Sequence, residues 1–299
     1  MNEASTNYIG RFAPSPTGPL HFGSLVAAVA SYLDARAHGG RWLLRMEDVD
    51  TTRCRPGFAG DILATLSAFG FSWDGEVLLQ SERVARYTAA VDQLADLGLT
   101  YACECSRKEI ADSALSGIDG PVYPGTCRHR DLAAIGNAIR VRTNPVEICF
   151  GDRVQGRQCQ RLETDIGDFV LKRRDGLFAY QLAVVVDDAD QNISHVVRGA
   201  DLLDSTARQI HLQQLLGFST PSYLHIPIVT NSAGQKLSKQ TLAPAIAIDE
   251  ACKLLRDALS HLGQVVPDAG HARPELLLAA AAKCWDVATI PKQRTSHIS

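Results

Sequence analysis

The sequence predicts an α/β protein with a parallel sheet and helices on its faces, on three observations. Strand and helix signals alternate through short links from Tyr8 to Phe69. A Cys/Gly/Pro-rich stretch from Tyr101 to about Arg130 then breaks that rhythm. After Thr241 only amphipathic helical patterns remain.

The elements follow in order. Tyr8 to Ala13 reads as a short strand that ends in a Pro/Gly-rich loop. From Phe22 to about Ala37 the spacing of Leu25, Val26, Val29, Tyr32 and Leu33 is helical, and His38-Gly39-Gly40 stops the helix. Arg41 to Met46 is a second strand, and Pro56 opens a helix running towards Phe69. Residues 138–198 look β-rich, with strands expected at Ala138–Arg142, Phe169–Lys172, Leu182–Val186 and Ile193–Val197. Leu202 to Leu216 is helical, Tyr223 to Val229 reads as a last buried strand, and the tail helices break at Pro267 and Pro274. There is no internal repeat and no low-complexity stretch.

Composition narrows the classes. A chain of 299 residues accommodates two domains, or one with insertions. Hydrophobic content of 45% and charged content of 21% suit a folded protein, and a net charge of -3 gives no global signal for nucleic acid. Residues 128–175 nevertheless carry ten Lys/Arg against seven Asp/Glu, a local surplus compatible with phosphate contacts. The polar start, Met-Asn-Glu-Ala-Ser-Thr-Asn, lacks an apolar signal-peptide core, and the longest aliphatic run, Leu276–Ala282, is seven residues. Eight cysteines in such a chain suggest metal binding or free buried thiols in preference to a disulfide framework. A soluble, cytoplasmic protein with no membrane partner is expected.

Two separated motifs carry phosphate chemistry. His21-Phe22-Gly23-Ser24 falls where a loop gives way to a helix, so backbone N–H groups and the positive end of the helix dipole face an anion. Gly23 admits close approach of a nucleotide, and His21 offers a donor to a phosphate oxygen. Lys236-Leu-Ser-Lys-Gln follows the turn Asn231-Ser-Ala-Gly, and Lys236 and Lys239 suit a clamp on the β- and γ-phosphates.

The stretch Arg11-Phe-Ala-Pro-Ser-Pro-Thr-Gly-Pro-Leu-His-Phe-Gly-Ser24 resembles the HIGH signature of class I aminoacyl-tRNA synthetases in its glutamyl form. Lys236–Gln240 resembles their KMSKS loop. Between them, Arg45-Met-Glu-Asp-Val-Asp-Thr-Thr-Arg and His195-Val-Val-Arg-Gly-Ala-Asp-Leu-Leu-Asp-Ser-Thr are also similar to the glutamyl group, collinear over residues 8–240. The resemblance implies a Rossmann-like parallel-sheet catalytic domain that joins glutamate to AMP by in-line attack of a carboxylate on the α-phosphorus of ATP. Positioning and charge stabilisation suffice for that step. The resemblance makes Arg11 and Arg198 the carboxylate-binding arginines and Glu47 the ammonium partner. Tyr180 and Ser15 become polar lining, with Phe12, Ala13 and Pro14 beside them. Catalytic roles fall to His21, Ser24, Lys236 and Lys239, and contacts to ATP, with Mg²⁺, to His21, Gly23, Ser24 and Lys239. Asp201 lies in a matching block without an assigned role. Two positions depart from the family pattern: Ser24 stands for the second His of HIGH, and Gln240 for the closing Ser of KMSKS.

Cys103 and Cys105, one residue apart, with Cys127 about twenty further on, have the spacing of a structural zinc knuckle. Tyr123, His129 or a cysteine from another segment offers the fourth ligand, histidine being the commoner on general chemistry. The resemblance to shorter glutamyl-synthetase-like proteins, which carry Cys-x-Cys…Tyr-x-x-x-Cys, favours Tyr123. The other cysteines (Cys54, Cys149, Cys159, Cys252, Cys284) read as core.

Only 59 residues follow Gln240, whereas a synthetase that reads the anticodon needs a further domain there of roughly 100 residues. Glutamyl motifs, cysteine pattern and short tail together resemble the glutamyl-queuosine tRNA(Asp) synthetase family. That family attaches glutamate to the cyclopentenediol of queuosine at the wobble position of tRNA(Asp). The resemblance implies glutamate, ATP and the queuosine-bearing anticodon stem-loop as partners, with one structural Zn²⁺. A minimal glutamyl-tRNA synthetase charging a tRNA 3′ end, or a non-catalytic RNA-binding relative, are the alternatives. The expected organisation is two halves of the catalytic domain at 1–100 and 191–240. A zinc-bearing, β-rich insertion occupies 101–190, and a short helical C-terminal segment 241–299.

Overall fold

In the computed structural model the described residues are 8–55, 57–113, 116–118, 120–230, 244–267 and 273–297. The chain begins with β1 (Ile9–Phe12), α1 (Phe22–Ala37), β2 (Arg41–Met46), α2 (Phe58–Ala68), β3 (Leu78–Leu79) and α3 (Val84–Asp96). β1, β2 and β3 pair in parallel, with Arg11 beside Leu43 and Arg45 beside Leu78. Next come β4 (Thr100–Cys103), α4 (Arg107–Ser113), β5 (Ser116–Gly117), β6 (Gly120–Pro121), β7 (Ala138–Val141), β8 (Glu147–Asp152) and β9 (Gly156–Arg161). They are followed by α5 (Leu162–Asp165), β10 (Val170–Lys172), α6 (Tyr180–Asp190), β11 (His195–Gly199), α7 (Thr206–Leu216), β12 (Ser222–Ile226) and β13 (Ile228–Thr230). The tail supplies α8 (Ala251–His261), α9 (Pro274–Lys283) and β14 (Thr295–His297).

Three sheets matter for function. β11 and β12 run in parallel, β8 adds beyond β12, and β9 folds back antiparallel on β8. Ser194 joins this sheet to the first: its amide donates to Ile9 O at 3.0 Å, and its Oγ accepts from Ile9 N at 2.8 Å. The knuckle rests on a separate antiparallel sheet, β10-β7-β4.

Strand β2 explains why the sheet lies between two layers. Trp42, Leu44 and Met46 enter a core with Leu25 and Leu33 of α1, Leu255 and Leu259 of α8 and Leu277 of α9. Leu43 points the other way, to a core with Tyr87, Leu94, Leu182, Val184, Val196 and Leu212. A strand buried on both faces carries apolar residues in succession, as Trp42-Leu43-Leu44 does within β2.

Four expectations need correction. Leu182–Val186 is helix, not strand: the β-branched run lies inside α6, buried on all sides against α3 and α7, and a helix apolar all round has no period to betray it. The expected strand at Tyr223–Val229 is two strands, parted at Pro227, which has no N–H for a ladder. The tail is not purely helical, because β14 pairs in parallel with β13. Finally, the five remaining cysteines are not core. Cys149 and Cys159 face each other on the solvent side of the β8–β9 hairpin and form a disulfide, Cys284 is exposed, and Cys54 and Cys252 are half-buried. Alternation along a hairpin puts every second residue outside, which cysteine content alone does not reveal.

A single carboxylate ties distant segments together. Asp34 of α1, fully buried, accepts from Tyr8 OH at 2.5 Å, from Arg153 Nη1 at 2.5 Å and from Trp285 Nε1 at 2.9 Å. Burial alone would raise its pKa, but Arg153, Tyr8 and Trp285 hold it below the usual carboxylate value. Asp34→Ala should cost roughly 3–5 kcal/mol in urea unfolding at pH 7, since it strands the Arg153 guanidinium. The depressed pKa contributes stability above the unfolded-state value. The gap between wild type and variant should therefore narrow as pH falls below about 4, and a pH-independent gap would contradict this account.

Candidate active site

One cavity of about 770 Å³ opens at the C-terminal ends of β1, β2, β11 and β12. Ligands of open parallel sheets bind there, because helices begin and loops diverge at those ends. Arg11, Phe12, Ala13, Pro14 and Ser15 line it from the end of β1 and the loop beyond. Glu47 enters just after β2, tied to that loop by its N–H donating to Pro14 O at 3.0 Å. Tyr180 stands at the start of α6 and Arg198 near the end of β11.

His21, Gly23 and Ser24 line the same cavity from the start of α1. His21 is the cap of that helix, its Nδ1 accepting from Ser24 N at 3.3 Å. A ring that accepts at Nδ1 carries its proton on Nε2, which suits donation to a phosphate oxygen. Every described residue of the expected site therefore borders one space. Lys236, Lys239 and Gln240 lie outside the described residues.

The floor of the cavity rests on buried charges. Asp188 Oδ1 accepts from Arg11 Nε at 3.1 Å and from Arg45 Nη2 at 2.6 Å, and Arg45 Nη1 reaches Gln191 Oε1 at 2.8 Å. Burial opposes ionisation of Asp188, yet Arg11 and Arg45 hold its pKa below the ordinary value. Glu47 meets the opposite balance. Burial pushes its pKa up to about 7, against the pull of Arg45 and Arg11. Burial and the nearby Glu47 also push the Tyr180 phenol up to about 12.

Nine buried side-chain polar atoms have no hydrogen-bond partner among the described residues, and three of them, Glu47 Oε1, Gln80 Oε1 and Arg198 Nη1, belong to residues that line the cavity. The nearest cation to Glu47 Oε1, Arg45 Nη2, is 4.0 Å away. The two on ionisable groups, an acceptor of Glu47 and a donor of Arg198, suit a ligand that offers both an ammonium and a carboxylate. Arg45 and Asp188 were not foreseen as site residues. Their signals are an arginine inside an apolar strand and an acidic pair, Asp187-Asp188, closing an apolar run.

A second cluster lies in the insertion. The sulfurs of Cys103, Cys105 and Cys127 lie within 4.8 Å of one another, Cys105 and Cys127 at 3.5 Å. Tyr123 OH is 3.3 Å from Cys103 Sγ and 3.7 Å from Cys105 Sγ. Ligands at zinc distances sit about 3.5–3.8 Å apart around a tetrahedron, so the donor set fits a metal ion. His129 is exposed and does not join the cluster. Burial opposes the Cys127 thiolate, but a backbone donor at Glu104 and the Tyr123 hydroxyl bring its pKa down to about 7, whereas burial pushes Cys105 up to about 11. Gly167 lets this cluster close. Its φ is +77°, and a Cβ there would stand 2.5 Å from Tyr123 O.

Residues 9–254 match the family model of class I tRNA synthetases (E and Q), catalytic domain. The chain belongs to this family. It is 59% identical over 290 residues to a glutamyl-Q tRNA(Asp) synthetase of Dechloromonas aromatica (strain RCB), covering 96% of each chain. A relative of the same name from Aromatoleum aromaticum is 53% identical over 295 residues, 98% of this chain and 93% of its own. Within the synthetases, this chain therefore groups with the glutamyl-Q tRNA(Asp) synthetases. In fold it is similar to a crystal structure of a glutamate tRNA ligase from Elizabethkingia meningosepticum CCUG26117 in complex with its amino acid. The TM-score is 0.79 at 24% identity, over 98% of this chain and 67% of that one. No described helix is long and apolar enough to cross a membrane.

The raised pKa of Glu47 makes a prediction about stability. A buried acid that holds its proton up to about pH 7 lowers stability as pH rises from its unfolded value near 4.5 towards 7. Glu47→Gln lacks that titration. In urea unfolding at pH 5 and pH 8 the variant should gain on wild type by on the order of 2–3 kcal/mol at the higher pH. Parallel pH profiles would contradict the burial of Glu47 as a proton-holding group.

Proposed function

We propose that this synthetase activates glutamate with ATP and transfers it to queuosine at the wobble position of tRNA(Asp). The carrying observation is the unpartnered acceptor Glu47 Oε1 and the unpartnered donor Arg198 Nη1 in a cavity that also contains the capped start of α1. In this reading Arg11 and Arg198 take carboxylates of glutamate, Glu47 takes the ammonium, and Tyr180 and Ser15 complete the polar lining. The α-carboxylate attacks the α-phosphorus of ATP, and the bond to pyrophosphate breaks. The His21 Nε2–H, the Ser24 hydroxyl and the N–H groups opening α1 hold phosphate oxygens, and Gly23 lets the nucleotide pass close to the backbone. Mg²⁺ bound with ATP would supply neutralisation of phosphate charge, and Lys236 and Lys239 are assigned to the departing pyrophosphate. A hydroxyl of the acceptor then attacks the glutamyl carbonyl, and AMP leaves.

The acceptor is assigned on the relatives that match over nearly the full length of this chain and carry the glutamyl-Q tRNA(Asp) synthetase name. Arg53 and Arg173 also line the cavity, where a splayed anticodon base and its phosphates would approach. ATP and tRNA as substrates argue for work in the cytoplasm.

Incubation with radiolabelled glutamate, ATP and tRNA(Asp), with and without queuosine, tests this reading. Label is expected only on the queuosine-containing tRNA, at the anticodon. Labelling of tRNA(Glu) at its 3′ end instead would favour a minimal glutamyl-tRNA synthetase, and no labelling of either with no glutamate-dependent pyrophosphate exchange would favour a non-catalytic binder.

We assign the cluster of Cys103, Cys105, Tyr123 and Cys127 to one structural Zn²⁺. Its support is the donor spacing, three thiol sulfurs and a phenol oxygen at the separations of tetrahedral zinc ligands. Purified protein should contain one zinc per chain, and Cys127→Ser should lose it with a fall in thermal stability. Unchanged metal content would remove Cys127 from the ligand set.

A further inference from the structure

Arg198 is held on several sides. Its Nε donates to His225 Nε2 at 3.0 Å and its Nη2 to Thr206 Oγ1 at 2.9 Å, while Cζ lies 5.6 Å from the centre of the Tyr223 ring. Nη1 is the nitrogen left for a ligand.

These contacts fix the state of His225. An arginine Nε has only a hydrogen to offer, so His225 Nε2 must accept and the ring must carry its proton on Nδ1. Nδ1 then donates to Asp152 Oδ2 at 2.7 Å. The ring is neutral, because a second proton on Nε2 would face the guanidinium. Burial agrees, pushing the His225 pKa down to about 4. Asp152 is itself locked, its Oδ1 accepting from the amides of Val154 at 3.0 Å, Gln155 at 2.8 Å and His225 at 3.2 Å. The three side chains come from adjacent strands: Arg198 on β11 pairs in register with His225 on β12, and Tyr223 of β12 pairs with Asp152 of β8.

We propose that Asp152 and His225 are positioning residues for amino-acid binding: a neutral imidazole held by the Asp152 carboxylate fixes Arg198 so that Nη1 meets a carboxylate of the substrate. The inference rests on the glutamate pocket proposed above. The hydrogen bonds of Asp152 and His225 run to Arg198 and to the amides of residues 154, 155 and 225, so the effect expected of this relay falls on the amino acid and not on the nucleotide. Without the ring, Arg198 Nε loses its acceptor and the guanidinium can turn towards other oxygens, such as Leu202 O, which Nη2 already approaches at 3.4 Å.

Calorimetric titration of the full chain with glutamate, and separately with ATP, tests the relay in wild type, His225→Leu and His225→Gln. The leucine fills the space without an acceptor, whereas the glutamine Oε1 keeps one for Arg198 Nε. His225→Leu should weaken glutamate binding roughly tenfold or more, as loss of a hydrogen bond to a charged group does. ATP affinity should stay within about twofold, and His225→Gln should recover most of the loss. Equal weakening for glutamate and ATP, or equal behaviour of the two variants, overturns the relay. A wild type that binds ATP but no glutamate overturns the pocket and the relay together. A wild type that binds glutamate as tightly as His225→Leu does overturns the relay alone. If His225→Leu does not fold, Asp152→Asn takes its place, with the same expected loss for glutamate only, and unchanged glutamate affinity overturns the proposal.

Discussion

The carboxylate of Asp188, shared between Arg11 and Arg45 beneath the cavity, is the contact on which the site depends. A pocket for an acidic amino acid must bury arginines without letting them be fully satisfied by the protein. Asp188 answers this by taking Arg11 through Nε and Arg45 through Nη2, which leaves the remaining guanidinium edge of Arg11 to the cavity it lines. A buried charge cluster of this kind contributes little net stability, because desolvation offsets most of the attraction. What it supplies is orientation. The same economy recurs one strand away, where Arg198 is turned by neighbours that carry no competing charge of their own on the cavity side.

Glu47 shows the cost of that arrangement. It stands among cations yet keeps a carboxyl near neutrality, because burial outweighs Arg45 at 4.0 Å. The protein itself thus leaves one buried carboxyl oxygen without a hydrogen-bond partner, an arrangement that burial penalises and that pairing with a donor would relieve.

Much of this was legible in the sequence, and the reasons are local. The first two strands and α1 carry their periods and stops within a few residues, and the His21–Ser24 motif lies where those signals place a helix start. The residues from Arg11 to Ser15, with Glu47, Tyr180 and Arg198, were named by motif and meet around one space. What stayed hidden depends on partners far away in sequence. The Leu182–Val186 run has the composition of a strand, and only its enclosure between α3 and α7 makes it a helix. Arg45, Asp152, Asp188 and His225 gain meaning only once the strands bring them together. The pairing of Cys149 with Cys159 required knowing the register of a hairpin, which no count of cysteines contains.

The parallel pairing of β14 with β13 binds the two distal parts of the chain in an unexpected way. Thr230, the last residue of β13, immediately precedes the segment that carries Lys236 and Lys239, and its partner in the ladder is His297. The strand from which the lysines depart is therefore moored by residues near the carboxyl end. A change within residues 295–297 would be felt at the strand that leads into the lysine-bearing segment, although more than sixty positions separate the two in sequence.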